Sequence, residues 1–256
     1  MRKNFGSKNT SWQKVAPWYN KITEGGGHYY HQHVVIPGVL RLLGLEPGSK
    51  LLDLACGNGV LAKALPKNVD YTGIDVAPSL ISEAKRTDRD HLHKFIIADI
   101  TNPIDQLTNQ QFTHAAIILA LQNVSDPASV LKNVSELLID NCKLVIVLNH
   151  PAFRIPRQSS WEIDETKKTQ YRRIDRYMSP LDIPINMNPG DRTSKLTMSY
   201  HYPISDYSKM LKEAGFAIDL IEEWTSDKES VGSAGRMENR ARSEFPLFMA
   251  ILAVKK

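Results

Sequence analysis

The chain has 256 residues, 42% of them hydrophobic and 23% charged, with a formal charge of +4. This excludes a disordered or fibrous chain and admits one large α/β domain or two small ones, and the mild positive charge permits an anionic substrate without demanding nucleic acid. The only cysteines are Cys56 and Cys142, no apolar run approaches a membrane span, and Met1-Arg-Lys-Asn4 leads into no apolar leader core, which predicts a reducing cytoplasmic setting and no membrane partner.

Residues 1–27 are polar and close on Gly25-Gly26-Gly27, a flexible joint. Trp12, Val15, Trp18 and Tyr19 recur at near-helical spacing and predict a short helix laid on an apolar surface. His28-Tyr-Tyr-His-Gln-His33 follows, then a helix to Leu43 that Gly44 stops. His28 and His31 share a helix face but His33 does not, and no acidic or cysteine ligand is near. Contact with substrate or cofactor, or an ordinary polar surface, is therefore preferred to a metal site.

The stretch Lys50-Leu-Leu-Asp-Leu-Ala-Cys-Gly-Asn-Gly-Val-Leu-Ala62 organises the rest. Leu51, Leu52 and Leu54 run together as a buried parallel strand with Asp53 near its end. Gly57 and Gly59 let the backbone turn and approach a ligand, and a helix from Asn58 is expected to aim its free N–H groups there. Gly57-x-Gly59-x-x-Ala62 also satisfies the NAD fingerprint. Asp53 decides between ligands, because a carboxylate ahead of the first glycine repels pyrophosphate and welcomes a cation. S-adenosylmethionine (SAM) carries an ammonium and a sulfonium and no phosphate.

Asp70–Asp75 reads as strand two, ending on an acid placed to hold ribose hydroxyls, with Val76 beside the adenine. Pro78 opens a helix carrying Leu80, Ile81 and Ala84. Phe95–Asp99 is strand three; Phe112–Gln122 is strand four and its exit, almost wholly apolar from Ala115 to Leu121; Lys143–Leu148 is strand five, after a helix begun by Asp126-Pro127. Alternating strands and helices predict a doubly wound sheet. The alternation then stops for about fifty residues, beyond ordinary loop lengths. A polar helix is expected near 165–178, then Pro180-rich coil and a half-exposed strand over 195–202. Ser205 is expected to cap the next helix, Phe216–Trp224 is strand six, and Thr225–Glu244 is a polar loop. The apolar run from Phe245 to Val254 follows with no intervening helix, so it should pair antiparallel.

The turn Asp53-Leu-Ala-Cys-Gly-Asn-Gly59 resembles the first motif of class I SAM-dependent methyltransferases, and an antiparallel last strand between strands five and six is that family's pattern. The layout is similar to the small-molecule branch containing quinone-biosynthesis methyltransferases. The resemblance implies an α/β fold: a doubly wound, seven-stranded, mostly parallel sheet with an antiparallel last strand. A helical lid over 1–45, a SAM-binding core over 46–149, a cap over 150–203 and a closing part of the core over 204–256 complete the expectation. It further implies SAM as cofactor and S-adenosylhomocysteine (SAH) as product. The cofactor set expected is Asp53, Ala55, Cys56, Gly57, Gly59, Asp75, Val76, Asp99, Ile100, Ala120 and Gln122, with Tyr19, Tyr29 and His33 from the lid. Asp99 matches the position that accepts from the adenine amino group, its alternative being a helix cap ahead of Pro103. The N-P-P-Y type motif of amide and base methylation is absent after strand four, where Ala120-Leu-Gln-Asn123 stands.

Methyl transfer from a sulfonium needs a base only if the acceptor must lose a proton. His150, which leaves strand five at the ligand edge, is the first candidate, with His31 and His201 behind it. Arg154 and Arg157 can hold an acceptor carboxylate or phosphate, and Tyr30, Trp161, Tyr171 and Tyr202 can wall an aromatic or lipid-like acceptor; salt bridges and a small cap core are the alternatives. The expected partner is a small-molecule acceptor. The runner-up is a transfer RNA, with Arg172, Arg173, Arg176 and the loop from Arg236 to Arg242 on phosphates.

Overall fold

The computed structural model describes Trp12, Gln13, Ala16 and residues 28–88, 93–186 and 196–256. Seven strands form one sheet: β1 (Lys50–Leu54), β2 (Asp70–Asp75), β3 (Lys94–Ile97), β4 (Phe112–Ile118), β5 (Leu138–Asn149), β10 (Phe216–Trp224) and β11 (Phe248–Lys255). Their order is β10-β11-β5-β4-β1-β2-β3. Every pairing is parallel except the two made by β11, which lies antiparallel between β5 and β10 as the sequence predicts. The strand order reverses at β1, between β4 and β2, which opens a crevice at its carboxyl end.

Alternation along β1 builds the layers. Leu51 faces one side with α1 (Ile36–Leu43) and α2 (Pro78–Thr87); Leu52 and Leu54 face the other with α3 (Pro127–Leu137) and α4 (Ile204–Glu213). Val39, Leu42 and Leu43 fill the first core; Val130, Leu131, Val134 and Leu211 fill the second. Asp126 caps α3 by accepting from the Ser129 N–H at 3.1 Å, so its side chain satisfies a donor that the first helical turn leaves open.

Five local expectations are corrected. The turn after β1 opens no α-helix, only a 3₁₀ turn at Ala62–Ala64, because Val60, Leu61 and Ala62 are drawn together into the core. The predicted polar helix over 165–178 is a hairpin of β6 (Ser159–Asp164) and β7 (Thr169–Ile174). Period-two alternation wins there: Trp161 and Ile163 take one face and Glu162 and Asp164 the other, and the Asp164 carboxylate accepts from the Lys167 N–H at 3.0 Å, closing a turn rather than capping a helix. The Pro180-rich stretch contains β8 (Leu181–Asn186), paired with β9 (Leu196–His201); Pro184 is tolerated because a two-stranded sheet is all edge. Pro203, not Ser205, stands at the N-cap of α4, and instead of a local cap the Tyr177 hydroxyl accepts from the Ile204 N–H at 3.1 Å. The connection to the last strand contains α5 (Gly235–Glu244), yet β11 still runs antiparallel. Among the described residues no helix is long and apolar enough to cross a membrane.

Candidate functional site

The carboxyl end of β1 meets β2 in a buried polar knot. Asp53 is 2% exposed and its Oδ2 accepts from the Tyr71 hydroxyl at 2.7 Å. Tyr71, Gly73 and Asp75 share one face of β2, and the bare Gly73 is what lets the phenol cross to Asp53. A Cβ on Gly73 would lie 2.7 Å from the Tyr71 hydroxyl and 2.9 Å from Cys56 Sγ. Burial pushes the Asp53 carboxyl up to about 7, with Tyr71 opposing and the Asp75 charge adding. Burial also raises Asp75, against the bonds it receives from backbone N–H groups.

Asp75 ties the two loops together. Its Oδ2 accepts from the Gly57 N–H at 2.9 Å and its Oδ1 from the Ala77 N–H at 2.8 Å. Ala55 (φ 56), Gly57 (φ 57) and Gly59 (φ 74) all adopt left-handed backbone, so the turn is strained at a non-glycine residue. Cys56 is anchored through its N–H to the Ile74 carbonyl at 2.9 Å. The end of β4 has the same character: Leu119 sits at φ 52, and its carbonyl accepts from Gln122 Nε2 at 3.0 Å and Asn123 Nδ2 at 3.2 Å. Gln122 Oε1 is buried with no partner. Val76 is half-buried behind Asp75, and Ala120 begins the 3₁₀ turn after β4. Beyond β3, Asp99 Oδ1 accepts from the Thr101 N–H at 2.9 Å and hydroxyl at 2.7 Å, a local turn and not a helix cap; Ile100 is buried beside it.

The lid residues divide. Gln13 Oε1 accepts from the Ser79 N–H at 3.3 Å and hydroxyl at 3.1 Å, and Ala16 packs on Ala77 and Leu80, so this segment lies against the loop that follows Asp75. Tyr19, with Val15 and Trp18, lies outside the described residues. Tyr29 and His33 are not brought to the glycine turn. Their rings stack at 4.3 Å, the Tyr29 hydroxyl donates to Asp227 at 3.0 Å, and Lys228 lies over Tyr29. That places them past the end of β10, a strand four positions from β1 in the sheet. The chain rises into α1 through a π-helical turn, His31–Val35. The His31 Nδ1 is buried there without a partner, and burial aided by His28 lowers its imidazole to about 4.

The exit of β5 carries a second set of buried contacts. His150 is 1% exposed, with Nε2 2.6 Å from Glu223 and Nδ1 accepting from the N–H groups of Ala152 and Phe153 at 3.1 and 3.3 Å. Those acceptances put its proton on Nε2, so both nitrogens are engaged. His150 fixes the turn and, with both nitrogens engaged, presents no free base in this arrangement. His201 Nε2 lies 2.6 Å from the Tyr177 carbonyl and so carries the proton, holding β9 to the segment after the first hairpin. Phe153 and Phe245 meet edge-on at 5.6 Å, as do Trp161 and Phe245 at 5.4 Å. Tyr30 joins from the segment before α1, its hydroxyl 3.0 Å from Ser226 and its ring edge-on to Phe248.

Three expected acceptor contacts fall elsewhere. Tyr171 pairs with Glu162, so it faces away from Trp161. Arg157 takes φ 62 and an exposed position at the turn. Tyr202 packs on Tyr207 and reaches the Ser125 carbonyl at 3.5 Å. Conversely Tyr71, Glu223, Phe153 and Phe245 escape a linear reading. Tyr71 alone carries a local signal, since Tyr71-x-Gly73-x-Asp75 sets an aromatic, a gap and an acid on one face. Among the described residues no cluster of His, Cys, Asp or Glu could hold a metal ion. A polar trough of about 570 Å³ lies at the opposite edge of the sheet, among Lys50, Asp70, Lys94 and Phe112, and holds none of these groups.

Residues 45–174 match the family described as Methyltransferase domain. The chain is 28% identical over 215 residues to the 2-phytyl-1,4-naphtoquinone methyltransferase of Nostoc sp., covering 75% of this chain and 91% of that protein. It is 31% identical over 197 residues to the ubiquinone/menaquinone biosynthesis C-methyltransferase of Hydrogenovibrio crunogenus, covering 69% of each. In fold it is similar to a SAM-dependent methyltransferase structure from Mesorhizobium loti, with a TM-score of 0.65 and 22% identity over 86% of this chain and 96% of that one. The acids and strained glycine turn at the carboxyl edge thus stand in a chain that belongs to the methyltransferase domain family, as a class I SAM-dependent methyltransferase.

Proposed function

We propose that the enzyme methylates a small-molecule acceptor seated between the glycine turn and the β6–β7 hairpin. The carrying observation is the aromatic wall where β5 leaves the sheet: Phe153, Phe245 and Trp161 in edge-on contact, with Tyr30 against Phe248. Relatives named for quinone acceptors support a flat, largely apolar substrate.

The residues present fit SAM. Each Asp75 oxygen already takes one N–H and keeps a second lone-pair direction for a ribose hydroxyl. Val76 and Ile100 would flank the adenine, Asp99 would accept from its amino group, and the orphaned Gln122 Oε1 awaits a donor. Gly57 and Gly59 give close approach, and Asp53 supplies a carboxylate behind the turn. SAM brings an electrophilic methyl group on a sulfonium that departs as a neutral thioether. The chain's own task is to align the acceptor and keep water out. His150 and His201 have their protonated nitrogens committed, and His31, held near 4, is a weak base. This residue set favours an acceptor atom that needs no strong base.

The cap arginines speak against a transfer RNA. Arg172 is turned inward, and Arg173 pairs with Glu162 and Asp175. Label transfer from methyl-labelled SAM into a cell extract, split into small molecules, RNA and protein, tests the reading. Label is expected in the small-molecule fraction; label confined to RNA would overturn it.

A further inference from the structure

Two arginines converge where β5 leaves the sheet. The Arg154 N–H donates to the His150 carbonyl at 2.8 Å, so Arg154 follows directly on the turn that His150 fixes. The neighbouring Phe153 carbonyl accepts from Arg172 Nε at 2.7 Å, and Arg172 Nη2 donates to Ser159 Oγ at 2.8 Å. The Arg172 guanidinium also lies over the Trp161 ring, 5.1 Å from its centre. The Arg172 guanidinium is therefore brought to the backbone turn that carries Arg154, clamped there by two hydrogen bonds and an aromatic face.

Neither arginine has a carboxylate partner among the described residues, whereas Arg41, Arg86, Arg173 and Arg242 all do. Arg154 opens to solvent yet is enclosed enough that burial lowers its pKa, and Arg172 is lowered by burial and then by the charge of Arg154. Like charges close to one another cost free energy, and an anion arriving from outside offsets that cost. Rings stand around this turn: Trp161 lies under Arg172 and edge-on to Phe245, Phe245 meets Phe153, and Tyr30 is close enough to act on the charge of Arg154. An unclamped guanidinium presents a planar fork that matches a carboxylate with two parallel bonds.

We propose that the methyl acceptor is an aromatic acid whose carboxylate is held by Arg154, with Arg172 adjacent as a fixed second cation. This rests on the small-molecule reading above and names its substrate class. It also replaces the pairing of Arg154 with Arg157 suggested by their closeness in sequence, since Arg172 is the residue that the hairpin carries to the same turn.

Ligand-observed NMR titration of the SAH-saturated enzyme with benzoate and benzamide, alike in shape and different in charge, tests the proposal. Benzoate is expected to bind at least about tenfold more tightly. Arg154→Gln should abolish that preference, Arg154→Lys should restore part of it because a point charge lacks the fork, and Arg157→Gln should leave it intact. Equal binding of the two probes, or a preference that survives Arg154→Gln while SAH affinity is unchanged, overturns the proposal and leaves the methyltransferase reading standing. Inorganic phosphate binding as tightly as benzoate would reveal a bare oxyanion site and overturn the aromatic assignment. Label appearing only in RNA in the extract experiment would instead remove the reading beneath it.

Discussion

Asp53 makes the site sensitive to pH. Its carboxyl stands at about 7 in the folded chain against an ordinary 3.8. The folded state thus keeps a proton that the unfolded chain has released, so the contribution to stability is full below about pH 4 and is lost as pH rises toward 7. Asp53→Asn stays neutral and still accepts from Tyr71. Its urea midpoint should change less than that of the parent between about pH 4.5 and pH 7.5, and identical profiles would place the titration elsewhere. His150 makes a different prediction. Removing it strips an acceptor from the Ala152 and Phe153 N–H groups and a partner from Glu223. His150→Ala should lower unfolding stability by about 1–3 kcal/mol, measured in denaturant. A collapse of kcat with stability intact would make it a base after all. Neither role could be read from neighbours in the chain, because the partner of Asp53 lies 18 residues away and that of His150 lies 73.

The joint between α1 and β10 sets two rules against each other. Gly38 lies inside α1, where alanine is favoured by about 1 kcal/mol. A Cβ there would come within 2.5 Å of the Trp224 ring, whose Nε1 donates to Glu222 at 2.8 Å while Glu222 also pairs with Arg41. Overpacking a fixed ring costs about 1–3 kcal/mol, so Gly38→Ala should be net destabilising, by up to about 2 kcal/mol in a denaturant titration. A more stable variant would show that Trp224 moves freely. The β6–β7 hairpin teaches the limit of pattern reading at the same scale. Tyr171, Ile174 and Met178 have helical spacing, but Tyr171 and Ile174 lie on opposite faces of β7 once Trp161 registers with Arg172. The period-two alternation of Trp161 and Ile163, with Trp161 packed on Phe245, outweighs that helical spacing.

Across the whole molecule, the acids, the glycine turn and the Gln13 contact at Ser79 follow β1, β2 and β3, from the sheet's reversal point to one edge. SAH at about a hundredfold its Kd should add about 2.7 kcal/mol of stability, a rise in Tm of roughly 5–10 °C, and NAD at equal concentration should add none. A shift with NAD alone would return the turn to its other fingerprint. The strand–helix alternation, the turn from Asp53 to Gly59 and the closing antiparallel strand were legible in the chain itself, because continuous apolar runs and glycine chemistry are local signals that the sheet then only assembles. The phenol crossing over Gly73 and the spent nitrogens of His150 were not. Nor was the meeting of Arg154 with Arg172. Each depends on which face a residue takes and which distant element is packed against it, and spacing along a chain carries no information about partners that only burial brings together.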